Sequence, residues 1–579
     1  MDAAEAKRSW GESLRAFAHP RAIAMLFLGF SAGIPILLIF SSLSLWLSEA
    51  GLSKSAVTMF SWAALGYSFK FIWAPLIDRL PVPILTEAMG RRRAWIFVSQ
   101  IAVIGAILLM ALTDPLASDN ALWWMALGAV LLGFSSATQD IVIDAYRIES
   151  AGKDLQAMLS ATYIAGYRIG MVVAGAGALF LADYYGSTKE VYSYDAWRLA
   201  YLWMCLAMVL GMLTTIIIRE PLASGEQRGD YEASDYLRFL LLFALAVAGF
   251  ILFRLLSSKD GWGSNLPTPL YGGLESLKTS LTEQTGNKTL ASTITGTLRL
   301  FGALAVAGMI GYLGMKGGIA NRTMVSESYV DPVREFFSRY GMGLALLLLA
   351  LVGLYRISDI VLGVISNVFY QDSGFTKTEI ASITKVFGIW IGIAGGIIGG
   401  ILAMRVGVLK ILFLGAILSM GTNLLFILLA EGNMEALRAY RFSIPWIEFR
   451  MEWPIVFRSF LDFDLAQLSL FAVIGADNLA AGLASAAFVA FLSSLTNISF
   501  TAVQYAIFSS IMTLLPKIIG GYSGTIVEET SKLIFEGTAT PDATTYAPFF
   551  MITFLMGIPV LLLIWIAGRK LDLRLPEPR

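Results

Sequence analysis

Apolar residues run in long blocks along almost the whole chain, broken by short polar stretches. Each block is long enough to cross a hydrocarbon core of roughly 30 Å as a helix. Blocks fall at 22–47, 56–77, 94–112, 121–146, 157–182 and 197–218, then at 237–256 and 296–315. A last set lies at 341–369, 378–403, 408–430, 468–496, 499–520 and 547–568. The pattern predicts an all-α polytopic membrane protein with about fourteen transmembrane helices, arranged as six, two and six. The expected organisation is a polar segment 1–21, a six-helix bundle 22–220, and a linker 221–340 carrying the two extra helices. A second bundle, 341–568, contains an insert at 431–467, and a tail follows at 569–579. The first block is too long for a signal-peptide core and no small-residue cleavage site follows it, so it reads as an uncleaved helix.

Composition narrows the class further. The chain is 57% hydrophobic and 15% charged, with a mean hydropathy of +0.70. The formal net charge is zero, from 42 basic and 42 acidic residues, so nothing points to nucleic acid. A single cysteine, Cys205, excludes an internal disulfide and a cysteine metal site. A single histidine, His19, leaves histidine catalysis and histidine-ligated metals almost no material. No metal, cofactor or enzymatic activity is therefore expected. Arg79, Arg91, Arg92, Arg93, Arg147, Lys153, Arg219, Arg228, Arg569, Lys570 and Arg574 fall in alternate loops, while Thr113–Asn120 holds no basic residue. The positive-inside rule then places both termini and the loop after the second helix in the cytoplasm. The insert 431–467, with Arg438, Arg441, Arg450 and Arg458, is outside by alternation, as a flap or an amphipathic surface segment.

Charge inside the membrane blocks carries the chemistry. The stretch SSATQDIVIDAYR, Ser135–Arg147, ends an apolar run with Gln139, Asp140, Asp144 and Arg147. Spacing of four puts both aspartates on one helix face. A carboxylate at the bilayer centre costs roughly 3 kcal/mol even on the mildest scale, so it faces a bundle interior or a cavity and reads as an ion or proton relay. Asp140 and Arg168 fall at comparable depth on consecutive antiparallel helices and are expected to pair. Separating that pair would let the acid take a proton; the alternative is a permanent pair that fixes packing. Asp144 is expected to act with it in proton coupling or as a gate with Arg147. In the second half Arg356 and Asp359 are spaced i,i+3, Lys385 is expected near Asp359, and Asp477, Asn478 and Gln504 add polar groups. Lys70 is a lone cation in the second block, beside Trp62, Tyr67 and Trp73. Small residues at spacing four (Gly29 and Gly33, Gly166 and Gly170, Gly392 with Gly396 and Gly400) allow close helix crossings. The sequon Asn287-Lys-Thr is read as chance.

The loop Ala74–Trp95 resembles the helix 2–3 signature of the major facilitator superfamily, with Asp78, Arg79, Gly90, Arg91, Arg92 and Arg93 in its places. A second copy, Gly399–Lys410, keeps Gly400, Arg405, Gly407 and Lys410 but has Met404 where the acid stands. The resemblance implies the major facilitator fold and a conformational latch at that loop, with Arg147 beside it. GFSAGIPILL (Gly29–Leu38), SATQDIVIDAYR, GYRIGM (Gly166–Met171), LYRISDIVLG with GFTKTEIASITKVFG (Leu354–Gly388) and the run Asp477–Ser510 resemble the AmpG muropeptide permease family. That resemblance implies import of anhydromuropeptides from periplasm to cytoplasm across a bacterial inner membrane. It further implies a proton gradient as the energy source, peptidoglycan recycling, and a link to beta-lactamase induction. Arg168, Arg356 and Lys385 become candidates for substrate carboxylates. Gln139, Tyr163, Tyr167, Asp359, Asp477, Asn478, Gln504, Lys70 and Trp62 complete the candidate binding set. The expected partners are the small-molecule substrate and the lipid bilayer, and the expected functional unit is a monomer. A transporter of another solute, such as an acetyl-CoA-like cargo or an exported drug, is the alternative.

Overall fold

The computed structural model describes residues 15–52, 66–118, 120–152, 155–188, 191–221, 231–258, 269–286, 288–443, 462–520 and 543–572, with residues 11, 523, 526, 527 and 530. Among the described residues, thirteen helical stretches are long and apolar enough to cross a membrane. The protein is an all-α multi-pass membrane protein, apart from one short hairpin.

In the first half the numbered helices are α1 (Pro20–Leu37), α2 (Leu43–Glu49), α3 (Gly66–Phe69), α4 (Ala74–Arg79), α5 (Arg91–Ala111), α6 (Ala121–Ser150), α7 (Gln156–Val172) and α8 (Tyr194–Ile217), with further short helices at Leu85–Met89 and Ala178–Tyr184. Of the expected span 56–77, residues 56–65, Trp62 among them, lie outside the described residues. The described part is not one regular helix: a 3-10 turn, Lys70–Ile72, separates α3 from α4. Pro20 opens α1, where its missing N–H costs nothing, and the His19 side chain accepts from the Arg21 amide at 3.2 Å. Past Pro35 the ladder widens into a π turn, Leu38–Ser42, and Ser42 Oγ donates across to Ala174 O at 2.9 Å.

Helices α1 and α7 cross with almost no side chain between them. A Cβ on Gly29 would lie 2.2 Å from Tyr163 O, and one on Gly166 would lie 1.9 Å from Leu26 O. Only hydrogen fits there, and dispersion between the two backbones takes the place of a hydrophobic driving force that lipid cannot supply. Towards the other end of this bundle Trp46 stacks on Trp197 at 5.7 Å, both fully buried, beside Tyr201.

A second unit, residues 227–335, folds around α9 (Ala233–Ser257), α10 (Pro269–Thr285) and α11 (Lys288–Lys316). Gly249 of α9 meets Ile310 of α11, and Arg299 pairs with Glu275 of α10 at 3.5 Å. Two helices were expected in this stretch. The third, α10, is polar and only 17 residues long, and Asn287 lies outside the described residues.

The second half comprises α12 (Asp331–Leu354), α13 (Ile357–Asp372), α14 (Gly388–Val406), α15 (Val408–Glu431), α16 (Leu465–Leu495), α17 (Thr501–Gly520) and α18 (Ala547–Asp572). The sequence reads 341–369 as one helix. It is broken by a turn at Tyr355–Arg356, while Gly341 (φ 72°), at the start of the expected span, kinks α12 there. Within the insert, β1 (Arg441–Ser443) and β2 (Asp462–Asp464) pair antiparallel, with Phe442 opposite Phe463. In its core the Phe369, Phe426, Phe549 and Phe550 side chains are all fully buried.

Candidate functional site

Asp140 and Asp144 share one face of α6, as their spacing requires, and both are buried. Lys70, on the 3-10 turn, reaches Asp144 Oδ2 at 3.7 Å. Arg147 binds Asp144 Oδ1 at 3.1 Å and donates to Ser160 Oγ and Ser493 Oγ, each at 2.8 Å. Its guanidinium also lies 5.1 Å from the Tyr505 ring centre. Asp140 receives a long hydrogen bond from Tyr163 Oη, 3.5 Å.

The expected Asp140–Arg168 pair is not formed. Depth was matched but azimuth was not: Tyr163 and Tyr167, four apart, face Asp140, and Arg168 is turned about 100° from Tyr167. Arg168 points instead at α14, where a Cβ on Gly392 would lie 1.4 Å from its Nη1. The same offset separates Gln139 from Asp140. Gln139 is fully buried between helices, donates to Ser31 Oγ at 2.9 Å, and its Oε1 has no hydrogen-bond partner. Tyr67 donates to Ser136 Oγ at 2.5 Å and Trp73 to Thr138 Oγ1 at 3.1 Å, so both bind α6.

Across from this, the break before α13 presents Arg356. Its Nη2 lies 3.4 Å from Asp359 and its Nη1 donates to Ser485 Oγ at 2.7 Å. Asp477 of α16 accepts from Thr422 Oγ1 at 3.1 Å and stands in the field of Arg356 and of Arg168 from the first half. Two guanidiniums and two carboxylates thus meet from both halves. Lys385 does not neutralise Asp359, which Arg356 holds instead. Lys385 lies in a π turn, Ala381–Phe387, whose wider spacing breaks the depth count of a regular helix. Asn478 folds back onto Ile474 O at 3.0 Å, and Gln504 accepts from the Asn497 amide at 2.7 Å in the turn between α16 and α17. The Asn478 amide also lies against Gly388, where a Cβ would come 2.9 Å from its Nδ2.

The latch residues gather at one end. Arg92 is fully buried, 2.8 Å from Asp78 Oδ1 and 2.5 Å from Glu149 Oε1, and donates to Thr501 Oγ1 at 3.0 Å. Thr501 donates in turn to Glu149, and the Val503 amide, in the first turn of α17, donates to Asp78 Oδ2 at 3.2 Å. An acid at that position also faces the positive end of the helix dipole. Arg91 and Arg93 stay within the first half, bonding Asp78 O at 2.7 Å and Ile216 O at 2.6 Å. Arg79 closes α4. Gly90 has φ 89°, and a Cβ there would strike Glu220, whose carboxylate caps the Arg92 and Arg93 amides at 2.8 and 3.0 Å. Gly407, its counterpart in the repeated loop, has φ 98°. Glu149, Ser493 and Thr501 were not singled out by the sequence. The one available signal was that Glu149 follows Asp140 and Arg147 on the same helix.

Residues 22–366 match the profile of the Major Facilitator Superfamily. The chain belongs to that superfamily. It is 24% identical to a putative transporter AmpG 4 of Rickettsia conorii, over 96% of this chain and 98% of that one. It is 25% identical to an anhydromuropeptide permease of Escherichia coli strain K12, over 96% of this chain and 82% of that one. Two solved structures of XylE, one described as a proton:xylose symporter, share the major facilitator fold at 13% identity. Their TM-scores are 0.51 and 0.53, over 94% and 96% of this chain and 95% and 96% of theirs. The protein is a membrane transporter of a small molecule, and its charged centres belong to a major facilitator core.

Proposed function

We propose that this transporter imports anhydromuropeptides from periplasm to cytoplasm by proton symport, for peptidoglycan recycling, in a bacterial inner membrane. The observation that carries the reading is the opposition of two buried charged centres in one chain. Lys70, Asp140 and Asp144 lie on the first half; Arg356, Asp359 and Asp477 lie on the second, with Arg168 reaching towards them. A substrate bearing both carboxylates and sugar amides needs such a site: guanidiniums bind carboxylates in a planar, two-point geometry, and carboxylates accept amide and hydroxyl hydrogens. In this reading Asp140 carries the proton, because its only hydrogen-bond donor among the described residues is the distant Tyr163 hydroxyl. Asp144, tied to Lys70 and Arg147, is then the gate rather than the carrier.

The termini and the Asp78–Arg93 loop are placed in the cytoplasm by their basic residues. The Arg92 cluster then seals the cytoplasmic end, and the substrate site faces the periplasm. Proton and substrate binding would be followed by rocking of the halves and parting of that cluster. Both centres lie in one chain, which supports a monomer as the working unit. Proteoliposome uptake of labelled GlcNAc-anhydroMurNAc-peptide, with an inward proton gradient and with that gradient collapsed, tests the reading. Accumulation that vanishes on collapse is expected. Absence of uptake by folded protein under both conditions would overturn it and make acyl-carrier nucleotides the next cargo to test.

A further inference from the structure

The hairpin of α9 and α11 holds two arginines inside its apolar spans, both near the end where α10 connects them. Arg254 stands three residues before the end of the span Ala233–Ser257, and Arg299 five residues into the span Ile294–Lys316. At the helical rise, both lie roughly 5 to 8 Å inside the ends of those spans, a depth from which a long cationic side chain reaches the headgroup layer. The register of the hairpin brings them together. Gly302 of α11 meets the Phe253 ring, one residue from Arg254, and Arg254 and Arg299 stand in each other's repulsive field.

The acid beside them is not enough to balance this charge. Glu275 of α10 lies 3.5 Å from Arg299 Nη2 and is shared with Lys278 of its own helix, at 3.7 Å. Arg254 has no ion-pair partner among the described residues. Three cations thus share a single paired carboxylate. The Arg299 fork is also half used. Its Nε is buried with no hydrogen-bond partner, while the neighbouring Nη2 makes one long contact to an acid whose own side chain is 37% exposed. Nε and Nη2 form the edge that takes two oxygens of a phosphate at once. The walls around the arginines are apolar and face outward. Ile251, one turn before Arg254, and Leu298 and Phe301 beside Arg299 are each about half exposed.

We propose that Arg254 and Arg299 form a binding site for the phosphodiester of an anionic phospholipid, with its acyl chains lying along Ile251, Leu298 and Phe301. The phosphate takes the Nε–Nη2 edge of Arg299 in place of Glu275 and relieves the repulsion between the two guanidiniums. Net charge selects the lipid. A phosphatidylglycerol headgroup brings an unmasked negative charge, whereas the choline of phosphatidylcholine cancels it. The site lies wholly within the unit 227–335 and owes nothing to the identity of the transported solute.

Native mass spectrometry of purified full-length protein, stripped of lipid in detergent and titrated with phosphatidylglycerol or phosphatidylcholine of the same acyl chains, tests this. Wild type is expected to retain phosphatidylglycerol in preference to phosphatidylcholine. Arg254→Gln breaks no ion pair among the described residues and is expected to keep the lipid-free melting temperature. It should bind the first phosphatidylglycerol at least about five-fold more weakly. Glu275→Gln removes the competing acid and is expected to bind phosphatidylglycerol more tightly than wild type. A bridge that only holds α10 in place would give no such gain. Unchanged phosphatidylglycerol binding in Arg254→Gln would overturn the proposal, as would unchanged or weakened binding in Glu275→Gln. Inorganic phosphate bound as tightly as phosphatidylglycerol would assign the site to a free anion and overturn the lipid assignment.

Discussion

Arg92 and Glu149 meet through a two-pronged contact, Nη2 to Oε1 at 2.5 Å and Nε to Oε2 at 3.0 Å, with both side chains buried. One arginine of the basic triplet thereby joins the loop after α4 to the end of α6, and through Thr501 to the start of α17.

Removing the acid from that pair exposes its weight. Glu149→Gln leaves Asp78 as the ion-pair partner of Arg92 among the described residues. Breaking one partner out of a buried pair costs about 3 kcal/mol. The variant is expected to melt at lower temperature in detergent and to transport several-fold more slowly, as thermal unfolding and initial uptake rates will report.

Asp140→Asn is expected to abolish gradient-driven accumulation while leaving exchange of internal for external substrate largely intact. Exchange needs the binding site and the rocking motion but no net proton movement. Accumulation at the wild-type level would remove Asp140 from the coupling role.

Arg168 gives a sharper result on affinity. It stands against Gly392 at the meeting of the halves, and an ammonium cannot reproduce the two-point geometry of a guanidinium. Arg168→Lys is expected to raise the apparent KM at least ten-fold, a loss of about 1.4 kcal/mol, with expression and melting temperature unchanged.

The α1–α7 crossing predicts a positional contrast between glycines. Gly166→Ala places a Cβ where Leu26 O already lies, and the helices must part. Gly105→Ala meets nothing within 4 Å. The first is expected to lower the melting temperature markedly; the second is expected to leave it unchanged or raise it slightly.

Outside the membrane, Glu379 predicts a pH dependence. Partial burial pushes its carboxyl up, but hydrogen bonds from Arg438, the Thr376 amide and Gln467 outweigh this and hold it at about 2, against 4.5 ordinarily. A depressed value stabilises the folded state above the unfolded pKa, and that contribution is lost as pH falls through the folded value. Arg438 bridges Glu379 and Asp464 at 3.0 Å each, so the group ties the base of the hairpin to the start of α16. Hydrogen-exchange protection at residues 434–443 is expected to hold at pH 7 and to fall between about pH 4.5 and 2. In Glu379→Gln it should be lower at pH 7 and nearly flat across that range.

The helices and the clustering of Asp78 with the basic triplet were legible because length, hydropathy and a run of arginines are properties of the chain itself. Asp140 and Asp144 share a face because α6 is regular between them. Arg168 and Lys385 were misplaced for geometric reasons: one residue of offset turns a side chain by about 100°, and a π turn shifts the register. Glu149, Ser493 and Thr501 were hidden because a threonine or serine in a membrane helix most often bonds its own preceding turn, and only the assembled bundle shows which ones cross.

The seal around Arg92 and Arg147 has an unequal division of labour. Its ion pairs, Arg92 with Asp78 and Glu149 and Arg147 with Asp144, lie within the first half. Among the described residues, the second half contributes only the hydroxyls of Thr501 and Ser493, the Val503 amide and the Tyr505 ring to these groups. The gap can therefore widen without stranding a charge, since water can replace each neutral partner in turn. In the proposed transport cycle, opening at this end is a matter of hydration, expected to respond to osmotic conditions far more than to ionic strength.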